Sequence, residues 1–387
     1  MKRRICIFCS LSSFDAGVSI STFKLTAGLV RRGERDVWAV LPGEGELTKR
    51  LRDASVNVRI IPFHRFRRRP ADFFRFLFGY FSSGFKFYRF IRKNRIDIVH
   101  FSDLVDAPFY PWARLGGAKV ITHARVCVGR PIVRSIVKNW TSFFCSRIIA
   151  ITEFTKSYYG FDKNVSVVYN PGPDRVLFDP DKIDGSQAAE IINSESDSRP
   201  VVITVATFRR DKGHHYFLET ASALCKKFSN NIRFVIIGGK VDGHEDYYNE
   251  VMEAVEQKGL GSCLTVTGTL PHEEVPAIMA GGSVFLFLPQ WEEALGGVIL
   301  EAMALGVSVV AFDRGGIREC FEDGVSGFLV PYGDINGAVT AAARLIESQD
   351  LRQQTVPKAR EFLNSRFTYD KHLDNVEKIY DELLADN

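Results

Sequence analysis

The chain has 387 residues, of which 45% are hydrophobic and 25% charged, with a net charge of +4. That length makes two domains the expectation, and the composition excludes a disordered or collagen-like chain. The charge is polarised: residues 1–178 hold 31 Lys+Arg against 13 Asp+Glu, and residues 179–387 hold 19 against 33. A basic first half suits an anionic partner, whether nucleic acid, a phospholipid surface or a phosphorylated substrate.

In chain order, the start MKRRICIFCS is basic, but Cys6, Cys9, Asp15 and Lys24 interrupt any apolar run. No signal peptide is expected, and no stretch is apolar for long enough to predict a membrane-spanning helix. Seven irregularly spaced cysteines in a chain of this size suggest free thiols in a reducing cytoplasm. Short β-branched runs then alternate with helical patterns. Strands are expected at Ile5–Phe8, Val37–Val40, Val58–Ile60, Ile96–Phe101, Lys119–Thr122, Arg147–Ile151 and Val165–Val168. Helices are expected at Ser19–Arg32 and Arg130–Cys145. Such alternation predicts a parallel α/β sheet covered on both faces. The Pro-, Gly-, Ser- and Asp-rich stretch 171–200 breaks the pattern and reads as a linker with a surface excursion.

After Pro200 the alternation restarts. Val201–Ala206, Arg233–Ile237, Leu264–Thr267, Val284–Leu288 and Ser308–Phe312 read as strands. Tyr216–Phe228, Tyr247–Lys258 and Val298–Leu305 read as helices. Leu373, Val376, Ile379, Tyr380 and Leu383 mark one apolar face of a helix over Tyr369–Leu384. Two doubly wound domains are expected to face an interdomain cleft, with ligands at strand carboxyl ends.

Four pieces carry chemistry. In WEEALGGVILEAMALG, Glu293 stands in a loop and a helix is expected to start near Gly297, with Glu301 one turn in. Leu295, Gly296 and Gly297 would offer amides to a phosphate, and the carboxylates would accept from ribose or sugar hydroxyls. The competing reading is a helix with a solvated Glu at each end. Arg209, Arg210 and Lys212 crowd a strand end in TFRRDKG and suit a diphosphate, or else form a solvated basic turn. Gly17 could let backbone approach a phosphate at the first helix, although Asp15 or Ser19 could simply cap it. His123 ends a strand, where it could line a cleft or serve packing.

In this order the pieces resemble the retaining glycosyltransferases of family 4, which have the GT-B fold. The resemblance spans nearly the whole chain. Glu293–x7–Glu301 followed by AMALG is its specific part, and IDIVHFSD, IIAITEFTKSYY, VVYNPGPD and FVIIGG are similar too. The resemblance implies that Glu301 binds the ribose of a nucleotide-sugar donor and that Glu293 holds donor-sugar hydroxyls. It implies that Lys212 pairs with the diphosphate, that Gly17 approaches the same phosphates or the acceptor, that His123 lines the donor sugar, and that Gly238 and Gly239 lie beside the base. Family members usually have Gly-Arg where this chain has Ala206–Thr207, so Arg209 or Arg210 is the candidate replacement.

Residues 63–95 interleave twelve Phe and Tyr with cations; from Arg65 to Arg95 there are ten Lys+Arg and one acid, Asp72. Three readings stand: an anionic bilayer interface, a core helix, or single-stranded nucleic-acid binding. The resemblance favours the bilayer, because many such enzymes use lipid-linked acceptors.

The expectation is therefore a GT-B, two-Rossmann-domain enzyme. Residues 1–178 form the acceptor-binding, membrane-facing domain, with helix 369–387 packing back on it; 179–199 is the linker, and 200–368 binds the nucleotide sugar. The enzyme would move a hexosyl or N-acetylhexosaminyl group from a UDP-, GDP- or ADP-sugar to a lipid-linked or cell-envelope glycan acceptor, as in polysaccharide or lipopolysaccharide synthesis. It would need no cofactor or metal and bind no nucleic acid. It would work in the cytoplasm, peripheral on the inner face of the plasma membrane. The alternatives are a sugar-nucleotide epimerase of the same fold, a transferase with a soluble acceptor, and a non-catalytic membrane-bound scaffold.

Overall fold

The computed structural model describes residues 2–14, 17–63, 70–183 and 198–385, with backbone alone at 70–78. Two compact units divide it: Met1–Pro171 with Tyr369–Asn387, and Gly172–Thr368. The elements up to residue 171 are β1 (Arg4–Phe8), α1 (Gly17–Arg32), β2 (Asp36–Leu41), α2 (Glu46–Asp53), β3 (Asn57–Ile60), α3 (Pro70–Asn94), β4 (Ile98–Phe101), α4 (Tyr110–Leu115), β5 (Lys119–Ala124), α5 (Pro131–Phe144), β6 (Arg147–Ala150), α6 (Glu153–Tyr159) and β7 (Val165–Val167). The second unit has β8 (Val201–Val205), α7 (His214–Lys227), β9 (Arg233–Ile237), α8 (Glu245–Gln257), β10 (Leu264–Val266), α9 (Val275–Ala280), β11 (Val284–Phe287), α10 (Gly297–Leu305), β12 (Ser308–Asp313), β13 (Phe328–Pro331), α11 (Ile335–Glu347) and α12 (Gln349–Arg366). Helix α13 (Tyr369–Ala385) belongs to the first unit.

Every named strand pair is parallel. The first sheet runs β3-β2-β1-β4-β5-β6-β7 and the second β10-β9-β8-β11-β12-β13. Parallel strands need crossovers, and right-handed crossovers change face where the strand order reverses. In the first unit α3 to α6 thus share one face. Phe87, Phe109, Tyr110 and Tyr159 pack there on Cys6, Phe8, Val99 and Phe101. Side chains alternate along each strand, so Ile5, Ile7, Ile98, Ile121 and Ile149 face the other way. They meet Leu25 and Leu29 of α1 and the apolar stripe of α13.

The division differs from the expected one at 178. The Gly172 amide donates to the Phe367 carbonyl at 2.8 Å, so residues 172–183 belong to the second unit and are not a linker. Residues 184–197 of the expected linker lie outside the described residues.

Helix α13 is held electrostatically as well. Glu377, which is buried, accepts from Arg32 and Arg35, and Arg35 reaches Asp381 at 2.6 Å. Arg32 also pairs with exposed Asp374 at 2.7 Å. Removing one partner of a buried ion pair strands the other charge, which costs about 3–5 kcal/mol. Glu377→Ala should therefore lower stability by roughly 3 kcal/mol, whereas an exposed pair contributes about 0–1 kcal/mol and Asp374→Ala should cost no more than that. Urea unfolding of the two variants checks this; equal losses would contradict it.

Candidate functional site

In an open parallel sheet, ligands sit outside strand carboxyl ends where the order reverses. In the second unit that point lies between β8 and β11, and the residues following those strands are Ala206–Gly213 and Leu288–Gly296. Lys212 and Glu293 come from these two segments and meet: Lys212 Nζ donates to Glu293 Oε1 at 2.7 Å. Their side chains are 26% and 20% exposed, so the pair is sheltered yet reachable by a ligand.

Backbone contacts fix the pair. The Asp211 carbonyl accepts from the Gln290 and Trp291 amides at 3.0 and 3.2 Å. The Glu293 carbonyl accepts from the Gly316 amide at 2.7 Å. Gly213 has φ +75°, and a Cβ there would run into the Leu288 carbonyl oxygen. Only glycine lets the two segments approach this closely.

Helix α10 begins at Gly297, and Glu301 lies one turn in and half-buried. Gly296 is buried, Leu295 half-buried and Gly297 exposed, with open space where its Cβ would be. This loop and first turn give a partly positive helix end four residues after the Glu293 carboxylate, an arrangement that can accept a phosphate beside sugar hydroxyls.

The other cations turn elsewhere. Arg210 forks onto Glu250 of α8, with one bond of 2.9 Å, and lies over Tyr247. Arg209 donates to Asp211 at 2.9 Å. The structure thus unites Lys212 with Glu293 and leaves Arg209 on half-buried Asp211 and Arg210 on exposed Glu250. Gly238 and Gly239 have a packing reason of their own. A Cβ on Gly238 would strike the Ala206 carbonyl, and one on Gly239 would strike Thr269.

In the first unit, Gly17 opens α1 and is exposed; Asp15, weighed as its cap, lies outside the described residues. His123 does not stand open at a strand end. It is fully buried on the α13 face of the sheet, in a polar chain. Tyr380 Oη lies 2.6 Å from His100 Nδ1, and His100 Nε2 lies 2.7 Å from His123 Nδ1. The Tyr380 hydroxyl has no acceptor besides His100 among the described residues, so it donates to Nδ1. His100 then donates from Nε2, and the remaining proton of His123 sits on Nε2. That N–H has no partner among the described residues, and neither has Arg125 Nη2 nearby. Buried polar atoms are normally paired, so these two point to a water or ligand oxygen.

Sequence reasoning missed Asp211, Gly213, Gly316, Arg125 and the link from Tyr380 to His123. Only the glycines left a local signal, in DKG and DRGG.

Comparison with known proteins shows the family. Residues 16–171 match the model of Glycosyltransferase Family 4, and residues 187–362 match that of glycosyl transferases group 1. The chain belongs to glycosyltransferase family 4. It is similar to an alpha-D-kanosaminyltransferase of Streptomyces kanamyceticus, 30% identical over 48% of this chain and 47% of that one. It is also similar to an N-acetyl-alpha-D-glucosaminyl L-malate synthase of Bacillus anthracis, 26% identical over 58% of this chain and 56% of that one. The matches thus span about half the length of these curated relatives. The fold is that of the Anabaena protein HepE, solved with UDP and glucose, at TM-score 0.83 and 17% identity over 98% of this chain and 100% of that one. For this family member the two α/β sheets are the GT-B pair of domains.

Burial holds His100 and His123 well below the usual imidazole pKa and His372 down to about 4, with Arg125 adding repulsion. The folded chain keeps these rings neutral while the unfolded chain protonates them near the usual 6.5. Between those values the unfolded state binds more protons, so stability is full above pH 6.5 and falls as pH drops towards 4. The slope reaches about 1.4 kcal/mol per pH unit for each histidine. Urea unfolding at a series of pH values should show this loss, and His372→Gln should flatten it. An unchanged slope in that variant would remove His372 from the account.

Proposed function

We propose that the chain is a retaining glycosyltransferase that binds a nucleotide-diphosphate sugar on its second unit. The observation that carries this reading is the Lys212–Glu293 pair beside the first turn of α10, with Glu301 one turn in. Lys212 takes the diphosphate and is released from Glu293 as it does so. Glu293 then accepts from sugar hydroxyls, and Glu301 accepts from the ribose. Fixed positive charge at the departing phosphate lowers the barrier most if it is already in place before reaction. The backbone ties of Asp211 and Glu293 supply that preorganisation. The leaving phosphate accepts the acceptor's proton, the sugar is delivered to the same face, and no metal is required.

A UDP-sugar is the first donor to test, because the Anabaena fold relative was solved with UDP and glucose. The group moved is a hexosyl or N-acetylhexosaminyl unit. The acceptor is a lipid-linked or envelope glycan, met by the basic first unit at the cytoplasmic leaflet. What supports the lipid reading is the charge of residues 1–178 and the aromatic cations of 63–95. Among the described residues no helix is long and apolar enough to cross a membrane; the contact proposed is peripheral. Residues 64–69, including Arg67 to Arg69, lie outside the described residues. In the described part of that stretch Phe87 and Phe90 are core, while Phe81 and Phe85 are more than half exposed. The helix therefore serves both core and surface. A soluble acceptor is the second reading, since one curated relative is named for L-malate.

Glu301→Ala should weaken UDP binding by about 1.5–3 kcal/mol, the loss for a hydrogen bond to a charged group. Calorimetry with UDP checks it, and an unchanged Kd would falsify the ribose role. Lys212→Ala should lower turnover of a UDP-sugar far more than it weakens binding of uridine. Equal effects on both would mean that Lys212 only supports the fold. Donor incubated alone should keep its configuration; epimerisation would favour the epimerase alternative.

A further inference from the structure

We propose that the outward face of α5 is a bilayer-docking surface, on which Ile132, Ile136 and Phe143 enter the headgroup region of an anionic membrane. The inference rests on the membrane-associated reading above and assigns it a surface other than the stretch 63–95. Ile132, Ile136, Trp140 and Phe143 recur at i, i+4, i+8 and i+11, which places them within about 80° of arc on a helix. They are 77%, 61%, 41% and 78% exposed. The inner side of α5 is already occupied: Thr141 is fully buried, and Val137 and Phe144 pack on the core. A surface helix normally carries one apolar stripe, facing the core. This one carries a second, facing outward.

The stripe cannot roll inward. Trp140 Nε1 donates to the Ala107 carbonyl at 3.0 Å, which pins α5 to the turn at 104–109. The same turn is pinned to α3, where Tyr80 Oη donates to the Pro108 carbonyl at 2.9 Å. Val105 of that turn and Phe81 of α3 are themselves about half exposed. The apolar surface therefore continues from α5 across the turn to α3 on one side of the sheet.

Charge selects the occupant. Residues 107–152 contain seven Lys+Arg and no Asp or Glu. Of these, Arg114 at the end of α4 and Arg130 at the start of α5 are exposed and flank the stripe, whereas Arg134 lies over Tyr158 and Lys138 beside Gly160 on the α6 side of the helix, Lys119 and Arg147 reach α13, and Arg125 is buried. A second copy seated on this face would bring cations against cations, and like charges across an interface oppose docking. Nucleic acid would use the charge but has no place for the aliphatic Ile132 and Ile136, since it stacks on aromatic rings. A leaflet with anionic headgroups takes both, with apolar side chains about 5–10 Å deep and cations at the phosphates.

The test uses the whole chain and sedimentation with two kinds of vesicle, phosphatidylcholine alone and phosphatidylcholine with phosphatidylglycerol. Wild type should bind the second kind and release it as salt rises. The triple variant Ile132→Ser, Ile136→Ser, Phe143→Ser removes only exposed side chains. It should bind those vesicles at least about tenfold more weakly, the scale expected for losing several inserted apolar groups. Its melting temperature and UDP binding should stay those of wild type. Trp140 emission should shift to the blue on vesicle addition, read as the difference from Trp140→Phe. If wild type binds vesicles and the triple variant binds them equally well, the α5 assignment is overturned while membrane association stands. If wild type ignores both vesicle kinds, both membrane claims fall, and UDP titration still tests the enzyme reading separately. A wild-type dimer that the triple variant converts to monomer would identify the stripe as a self-contact and overturn the proposal.

Discussion

A parallel sheet has to be covered on both faces, and in the first unit the chain order alone does not manage it. The crossovers β3–α3–β4, β4–α4–β5 and β5–α5–β6 all lay their helices on one side. On the other side α1 and α2 cover mainly the β1–β3 half. The isoleucines of β4, β5 and β6 would face water without α13, which follows the whole second unit in the sequence. Much else follows from that single helix. Its carboxylates set where Arg32 and Arg35 must point, and its Tyr380 sets which nitrogen of His123 carries the proton.

Local rules carried most of the architecture into the sequence. The buried parallel strands are β-branched runs, and the expected helix start near Gly297 is where α10 begins. The pairing of Lys212 with Glu293 was not legible as a distance. It depends on the Asp211 carbonyl, which any residue could supply, and on Gly213 passing Leu288. Strand β13 was missed because it is four residues long, ends in Pro331 and lies at the sheet edge, where a proline is tolerated. The unit boundary was misplaced for a similar reason. Composition marks 171–200 as loop, but only the bond from Gly172 to Phe367 says which unit the loop serves.

His123 shows the same limit in chemical form. Its position at a strand end allowed either a cleft-lining or a packing role. Parity along β5 instead turns it to the face that α13 covers, and Tyr380, 257 positions later, fixes its tautomer through His100. The cations after β8 show the converse. Three basic residues within four positions look alike in sequence, yet Glu250 and Asp211 claim two of them and only Lys212 reaches Glu293.

The discontinuity of the first unit also bears on how the protein is made. Residues 172–368 separate its two parts. At a ribosomal pace of about 5–20 residues per second, the nascent first unit waits about 10–40 s with the β4–β6 part of one sheet face bare. During that interval the second unit, whose segments are contiguous, can finish folding. An apolar sheet surface left open for so long invites chaperone binding, and a chain cut short before residue 369 would carry an unfinished first unit.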